Sequence, residues 1–597
     1  MNLAALDWGI IFAFFAVSLA IGLIVSRQSG KNYKEFFLSG RGMPWWLLGI
    51  SMVATTFSAD TPNLVTDIIR NNGIAGNWVW WAFLLTGMLT VFVYAKLWRR
   101  SGIMTDLEFY ELRYEGKIAA FLRGFRAIYL GVFFNIMIMA TVTLAAIKIG
   151  GVMLGLSPLQ TVLIASAVTV VYTSLGGLRG VILTDFFQFI LAMTGIIWAA
   201  IVIVNLPEVG GLDRLLSHDA VQGKLNLLPD FNDSSQLIPL FILPIAVQWW
   251  SVWYPGAEPG GGGYIVQRML SAKDEKNAVG ATLLFNIAHY ALRPWPWILI
   301  ALASIVVFPD LESLTTAFPD INQKVVKDDL AFPAMLTYLP SGLLGLVIAS
   351  LIAAFMSTLS THLNWGASYI VHDFYRRFIN DQASEKTLVR LGRWSTLGLM
   401  VLTALFALVL ENALQAFNIL LQIGAGTGLI FILRWFWWRI NAYSEIAAMV
   451  ISFLMAIYLE ILHPGELESS TKLLLGVGVT TAGWLLATFL TPPTDHGALL
   501  RFYKLIKPAP GGWRPVISRA KQEGTLTETE VLPGQLPLEI AAMLIACFTV
   551  YATLFATGYW IYGNIGAASI ATAVAAVGTL LLFRLWRQLN RVRKTQE

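Results

Sequence analysis

Cysteine, histidine and charged side chains are scarce in this sequence. Only 13% of its 597 residues are Asp, Glu, Lys or Arg, whereas soluble domains carry about 25%. The single cysteine, Cys547, excludes an intrachain disulfide. The six histidines are scattered and form no HExxH motif, so they give no sign of the metal or acid–base cluster that an integral membrane enzyme needs. We therefore expect neither a soluble domain nor an enzyme.

Long apolar runs dominate the chain instead. Hydrophobic residues make up 56% of it, and the mean hydropathy is +0.66. Runs of about 20 apolar residues recur along the whole length, each long enough to cross a hydrocarbon core of roughly 30 Å. The alternating short-strand pattern of an outer-membrane barrel is absent. The sequence predicts an all-α polytopic membrane protein with about fifteen spans.

Positive charge is distributed unevenly between the predicted loops. Because the number of spans is odd, the termini lie on opposite sides, and the positive-inside rule places the N-terminus outside and the C-terminus in the cytoplasm. On this topology one of the 41 Lys and Arg residues, Arg293, lies within a span, and only seven lie outside: Arg70, Lys148, Arg214, Lys224, Lys324, Lys327 and Lys472. We predict a multi-pass protein of the plasma (inner) membrane. Its net charge of +5 then reflects topology and not a nucleic-acid partner.

Two of the predicted spans are interrupted. The stretch WYPGAEPGGGG at 253–263 places prolines and glycines inside an apolar run, and ATTFSADTP at 54–62 places hydroxyls, an aspartate and a proline inside another. Irregular backbone survives at membrane depth only where it lines a cavity or is buried in protein. Transporters use such breaks to direct helix ends at ions and substrate, although proline and glycine also kink ordinary membrane helices.

The two breaks occupy matching positions. Each lies in the first helix of a group of five, and since five is odd, the second group starts from the opposite side of the membrane. This arrangement predicts an inverted repeat. The predicted organisation is an N-terminal span with a cytoplasmic loop, two five-helix repeats, and C-terminal accessory spans that contain a cytoplasmic, linker-like loop at 491–536; the corresponding ranges are 1–44, 45–206, 236–440 and 441–597.

Four stretches of this sequence resemble the sodium:solute symporter family, which includes sodium/glucose, sodium/proline and sodium/sialic acid transporters. They are SMVATTFSAD at 51–60, YTSLGGLRGVILTDFFQ at 172–188, YIVQRMLSAKDEKNA at 264–278 and AAFMSTLSTHLNWGASYIVHDFY at 353–375. The resemblance implies a LeuT-type core of five plus five inverted helices. One extra helix precedes this core and about four follow it.

One helix face in the last stretch suits a small cation. Ala354, Ser357, Thr358 and Thr361 are spaced i, i+3, i+4 and i+7, and hydroxyl and carbonyl oxygens are hard, neutral ligands. The same hydroxyls could instead ease helix packing. The family resemblance implies that sodium ions (Na+) bind here, at a core site formed by Ala54, Phe57, Ala354, Ser357 and Thr358.

Asp185 is the second candidate ion ligand. A carboxylate within a membrane helix costs about 2.5–3.5 kcal/mol on insertion scales, and pairing with the nearby Arg179 would be a purely structural explanation. In family members with two sodium ions, the residues at the matching positions bind the second ion, and here they are Asp185, Ser357, Ser360 and Thr361. This resemblance favours two sodium ions per cycle.

We expect the substrate to bind between the two breaks. Hydroxyls and charges near that position predict a site composed of Thr56, Ser58, Asp60, Thr61, Trp253, Glu258 and Arg293. Buried charges are retained when they are paired or when they bind a ligand, so Glu258 either faces the cavity or pairs with a neighbouring arginine. The sequence thus predicts a sodium-coupled symporter that imports a small polar solute by alternating access. A sugar or sugar acid is favoured, with an amino acid or other small carboxylate next; a channel or a sensor is the non-transporter alternative.

Overall fold

The protein is all-helical in a computed structural model that describes residues 3–56, 58–251, 258–319, 326–410, 424, 426–463, 465–531 and 533–594. Within this part of the chain, eleven helices are long and apolar enough to cross a membrane. The all-α membrane class is therefore confirmed. The first half of the chain contains helices α1 Ala5–Ser29, α2 Trp45–Thr56, α3 Thr61–Asn72, α4 Ile74–Ser101, α5 Gly116–Leu154 and α6 Pro158–Val204.

The second half of the chain is also helical. Its main helices are α7 Ser234–Ala246, α8 Gly263–Ser271, α9 Glu275–Val307, α10 Leu343–Ile379, α11 Glu385–Val409, α12 Ala442–Leu462, α13 Ser469–Leu490, α14 His496–Ile506, α15 Arg514–Gln522, α16 Leu536–Ile561 and α17 Ile565–Lys594. In the most apolar 18-residue stretch of α10, 89% is buried inside the protein, whereas in the most apolar stretch of α17 only 6% is buried. Helix α10 is thus the centre of the bundle, where it packs along α6, and α17 presents its apolar surface to lipid.

One predicted span limit needs correction. The span predicted at 331–372 begins at Leu343, because the chain turns at Gly342, whose φ of 85° is incompatible with a helix. The spans predicted at 158–176 and 181–205 together form α6, which is kinked between them at Gly177, where φ is 54° and the backbone is not helical. The span predicted at 413–438 lies partly outside the described residues, and 426–433 are helical.

The first predicted break separates α2 from α3. Helix α2 ends at Thr56 and α3 begins at Thr61, with Pro62 in its first turn. Proline lacks an amide hydrogen and is tolerated at this position of a helix, where that hydrogen would have no partner within the helix. The short connection leaves the last carbonyls of α2 without partners of their own helix, which makes them available to other groups.

The second break separates α7 from α8. Helix α7 ends at Ala246 and α8 begins at Gly263, while residues 252–257 lie outside the described part of the chain. Backbone groups of this break bind protein side chains: the indole Nε1 of Trp98 donates to the carbonyl of Gly260 at 2.8 Å, and the amide of Gly263 donates to a carboxylate oxygen of Asp106 at 2.8 Å.

The starts and ends of the broken helices are tied together on one side of the bundle. The amide of Met43 donates to the carbonyl of Ser271 at 3.2 Å, and the amide of Lys273 donates to the carbonyl of Met43 at 3.1 Å. These bonds fix the beginning of α2 against the end of α8. The two helices therefore lie side by side, and their facing side chains form the site described below.

The segment 491–536 is folded and does not behave as a simple linker. It contains α14 and α15, and between them Trp513 is fully buried. Its indole Nε1 donates to the carbonyl of Trp435 at 3.0 Å, and the guanidinium of Arg113 lies 4.8 Å from the centre of its ring. The composition of the segment does not predict that it packs against the helix bundle, because a single buried tryptophan holds an otherwise polar stretch in place.

The glycines at the second break allow a test of its backbone geometry. Gly261 has φ of 94°, in the left-handed region that favours glycine, whereas Gly262 has φ of −158°, which any residue adopts. We expect Gly261→Ala to destabilise the protein by about 1–3 kcal/mol through backbone strain and Gly262→Ala to have a much smaller effect. Thermal unfolding of the two purified variants measures the difference. Equal melting temperatures would show that the backbone does not turn as described.

Candidate functional site

The two broken helices meet directly through their side chains. The hydroxyls of Thr56, the last residue of α2, and Tyr264, in the first turn of α8, lie 2.8 Å apart. The Thr56 hydroxyl also donates to the carbonyl of Met52 at 2.8 Å. Because this bond uses the hydroxyl hydrogen of Thr56, the Tyr264 hydroxyl is the donor between the two side chains. This hydrogen bond brings the two interruptions to one place, as the sequence predicts.

Helix α10 approaches the broken end of α2 through the predicted ion-binding face. The hydroxyl of Thr358 lies 2.8 Å from the carbonyl oxygen of Thr55 and 3.2 Å from that of Ala354. The structure thus brings together Thr358, Ala354 and the end of α2, where Ala54 is buried. Phe57, the remaining predicted ligand of the core site, lies outside the described residues.

Asp185 on α6 is fully buried beside the same face of α10. Its Oδ1 accepts a hydrogen bond from the Ser357 hydroxyl at 2.6 Å, and its Oδ2 accepts one from the Ser51 hydroxyl at 2.5 Å. Its cationic neighbour is Arg268 on α8, with Nη2 at 3.5 Å from Oδ2. The pairing with Arg179 that sequence proximity suggested is replaced by a contact with Arg268, which is far away in sequence.

The remaining residues of the predicted second ion site, Ser360 and Thr361, lie on α10 near Ser357. The hydroxyl of Thr361 accepts a hydrogen bond from Arg268 at 2.7 Å and lies 3.0 Å from the hydroxyl of Thr55. The hydroxyl of Ser360 donates to the carbonyl of Ser357 at 3.0 Å. All four residues predicted for this site are therefore buried, and hydrogen bonds connect Asp185, Ser357 and Thr361 in a network that includes Arg268.

Arg293 binds the broken end of α2 from the opposite direction. Its Nη1 donates to the carbonyl of Val53 at 3.1 Å and its Nη2 to the carbonyl of Thr56 at 3.3 Å. Nη2 also lies 2.6 Å from Nδ1 of His289, and the guanidinium stacks 4.9 Å from the centre of the Trp297 ring. A cation at a helix C-terminus is favourable because the helix dipole is negative there.

The other predicted substrate residues lie just beyond this helix end. Ser58 is buried and Asp60 is partly buried, and the Asp60 carboxylate is close enough to Arg293 for electrostatic attraction. Thr61 is the first residue of α3. The structure thus groups Thr56, Ser58, Asp60 and Thr61 around one break, with Arg293 at its edge; Trp253 lies outside the described residues.

Glu258 adopts the second of the two arrangements that the sequence left open, in which it pairs with an arginine. Its carboxylate forms an ion pair with Arg126 of α5, and both side chains are only 3% exposed. The guanidinium of Arg126 also stacks on the rings of Tyr110 and Phe431 at 5.4 and 5.0 Å. An uncompensated buried charge is costly, and Arg126 balances the charge of Glu258 within the protein itself, so Glu258 is not part of the proposed substrate site.

Four residues of this region were not predicted from the sequence: Ser51, Thr55, Arg268 and His289. The span predicted at 236–266 ends before Arg268, whereas α8 continues to Ser271 in fully buried surroundings. Ser51 and Thr55 are four residues apart, so their hydroxyls share one face of α2. That spacing was a signal that could have identified them.

Several known proteins are similar in sequence to this chain. Residues 36–452 match the sequence profile of the sodium:solute symporter family. The sodium/glucose cotransporter of Vibrio parahaemolyticus is 26% identical over 481 residues, which cover 77% of this chain and 86% of that protein. The sodium/mannose cotransporter of Bos taurus is 25% identical over 548 residues, covering 86% of this chain and 88% of that protein.

The fold is also shared with a solved structure. A sodium-coupled sialic acid symporter in a substrate-bound, outward-open state superimposes with a TM-score of 0.67 and 22% identity, and the alignment covers 83% of this chain and 99% of that one. At this identity the likeness shows the LeuT-like fold alone. Since the family match spans more than half of the sequence, the chain belongs to the sodium:solute symporter family.

Proposed function

We propose that this protein is a sodium-coupled symporter that imports a small polar organic solute, favouring a sugar or sugar acid, by alternating access. The observation that carries the proposal is the contact between Thr358 of α10 and the carbonyl of Thr55 at the broken end of α2. It joins the predicted ion-binding face to the interrupted helix. An ion bound at this junction would stabilise the arrangement of both helices.

The core sodium site would combine oxygens from the two helices. Side-chain oxygens of Ser357 and Thr358 and carbonyl oxygens of Ala54 and Ala354 are its proposed ligands, with the carbonyl of Phe57 as the fifth. These oxygens are hard and uncharged, which suits a monovalent cation of small size. The Thr358 hydroxyl would release its hydrogen bond to Thr55 and present a lone pair to the ion.

The substrate would bind beside the same helix end. Thr56, Ser58 and Thr61 supply hydroxyls that can bond the hydroxyls or carboxylate of a ligand, while Asp60 and Arg293 supply charges of opposite sign. A guanidinium binds carboxylates in a bidentate manner, and a carboxylate accepts hydrogen bonds from sugar hydroxyls. This mixed set favours a sugar or sugar acid, in line with the glucose, mannose and sialic acid transport of the similar proteins.

An amino acid or other small carboxylate is the second candidate, because Arg293 could hold it alone. A panel of sugars, sugar acids and amino acids in a thermal-shift assay separates the two classes, since a ligand that binds the folded state raises its apparent stability. We expect sugars or sugar acids to raise the melting temperature in sodium more than in potassium. Counterflow of the stabilising compound in proteoliposomes then distinguishes transport from binding by a channel or sensor.

The core ion site yields a direct prediction. Thr358→Val keeps the shape of the side chain and removes one oxygen ligand, so we expect the sodium concentration for half-maximal uptake to rise about tenfold. The matched control is Thr396→Val on α11, since the Thr396 hydroxyl is equally buried and donates to the carbonyl of Gly392 in its own helix. Unchanged sodium dependence of uptake in Thr358→Val would show that the ion does not bind at this position.

The substrate site yields a second prediction. Ser58→Ala should weaken substrate binding about fivefold to tenfold by removing one hydrogen-bonding group, while sodium binding without substrate stays the same. Thr66→Val on α3 is the control, because the Thr66 hydroxyl donates to the carbonyl of Pro62 within its own helix. Equal substrate affinity in wild type and Ser58→Ala, measured by titration in saturating sodium, would place the substrate elsewhere.

A further inference from the structure

Arg268 contacts two residues of the second sodium site that the family resemblance implies. It belongs to α8, the helix that follows the second break, and its side chain is fully buried. Its Nη2 lies 2.7 Å from the Thr361 hydroxyl and 3.5 Å from Oδ2 of Asp185. Both are predicted ligands of the second ion. The guanidinium thus contacts the oxygens that this ion needs.

Other hydroxyls fix the guanidinium in this position. Its Nε donates to the Ser51 hydroxyl at 3.1 Å, and Nη2 also lies 3.2 Å from the Thr55 hydroxyl. Nη1 lies 3.4 Å from Oε1 of Gln267, and the guanidinium carbon lies 5.7 Å from the centre of the Tyr264 ring. The cluster is therefore built around a cation that belongs to the protein.

The two charges at this place cancel each other. Asp185 contributes one negative charge, and a guanidinium keeps its positive charge under all ordinary conditions. A sodium ion bound to Asp185 with Arg268 in place would add a second positive charge. Two such charges about 4 Å apart, at an effective dielectric constant of about 20, weaken binding on the order of a thousandfold. The ion and the guanidinium consequently exclude each other.

We propose that Arg268 competes with a second transported sodium ion for Asp185 and binds the carboxylate whenever that ion has left. The proposal rests on the proposed function, since it presupposes sodium coupling. It gives the competition a structural consequence, because Arg268 is carried on α8, whose Tyr264 is bonded to Thr56 at the end of α2. Exchange of guanidinium for ion therefore links the second ion to the relative position of the two broken helices.

Equilibrium binding of radioactive sodium to the purified full-length protein tests this competition. In the wild type we expect a core component and a second component that is at least about tenfold weaker or not measurable. Arg268→Gln removes the internal cation, so the second component should tighten by at least about tenfold, or become measurable. Arg268→Lys keeps the charge and should leave the second component as weak as in the wild type.

Asp185→Asn provides the matched background for this experiment. If the guanidinium acts by occupying the carboxylate, Arg268→Gln should change sodium binding in the wild-type background and have no effect in the Asp185→Asn background. A second component that is unchanged or lost in Arg268→Gln would overturn the proposal. Loss of the core component in Thr358→Val reports on the proposed function separately, so the failure of one idea is distinguishable from the failure of the other.

A milder variant covers the case in which Arg268→Gln does not fold. Thr55→Val removes one hydroxyl that holds the guanidinium and leaves both Asp185 and the backbone carbonyl of Thr55 in place. The weakened competitor should allow the second sodium ion to bind several-fold more tightly. Sodium binding identical to that of the wild type in a folded Thr55→Val protein would contradict the proposed competition.

Discussion

The carbonyl groups at the end of α2 impose the constraint on which the site depends. A helix that stops within a bilayer leaves its last carbonyls without amide partners, and lipid offers none. Here each of three carbonyls has a side-chain donor: Arg293 donates to those of Val53 and Thr56, and Thr358 donates to that of Thr55. The first break is therefore in contact with side chains of two other helices, α9 and α10. The proposed ion and substrate sites are adjacent because both use this helix end.

At the second break, other side chains provide hydrogen-bond partners for the backbone. Trp98 donates to the carbonyl of Gly260, and Asp106 accepts from the amide of Gly263, so part of this backbone is satisfied by the protein. Helix α8 beyond it carries Tyr264 and Arg268 to the first break. Helix α8 thus contacts the site through its side chains.

Hydropathy and helix-breaking residues were sufficient to predict the membrane class and both interruptions, because each is a local property of the sequence. The hydroxyl face of α10 was predictable for the same reason. The partners of buried charges across the bundle were not predictable from the sequence. Glu258 and Arg126 are separated by 132 residues, and nothing in the sequence near Glu258 indicates which arginine pairs with it. Arg268 was missed because its helix continues in buried surroundings beyond the end of the apolar run.

The central claim is that sodium and substrate stabilise the same broken end of α2 and are therefore coupled. Calorimetric titration of the purified protein tests it most directly, by measuring substrate affinity across sodium concentrations and sodium affinity across substrate concentrations. Linked sites must raise each other's affinity by the same factor, and we expect that factor to lie above one and to agree in both directions. Substrate affinity that is independent of sodium would contradict the account.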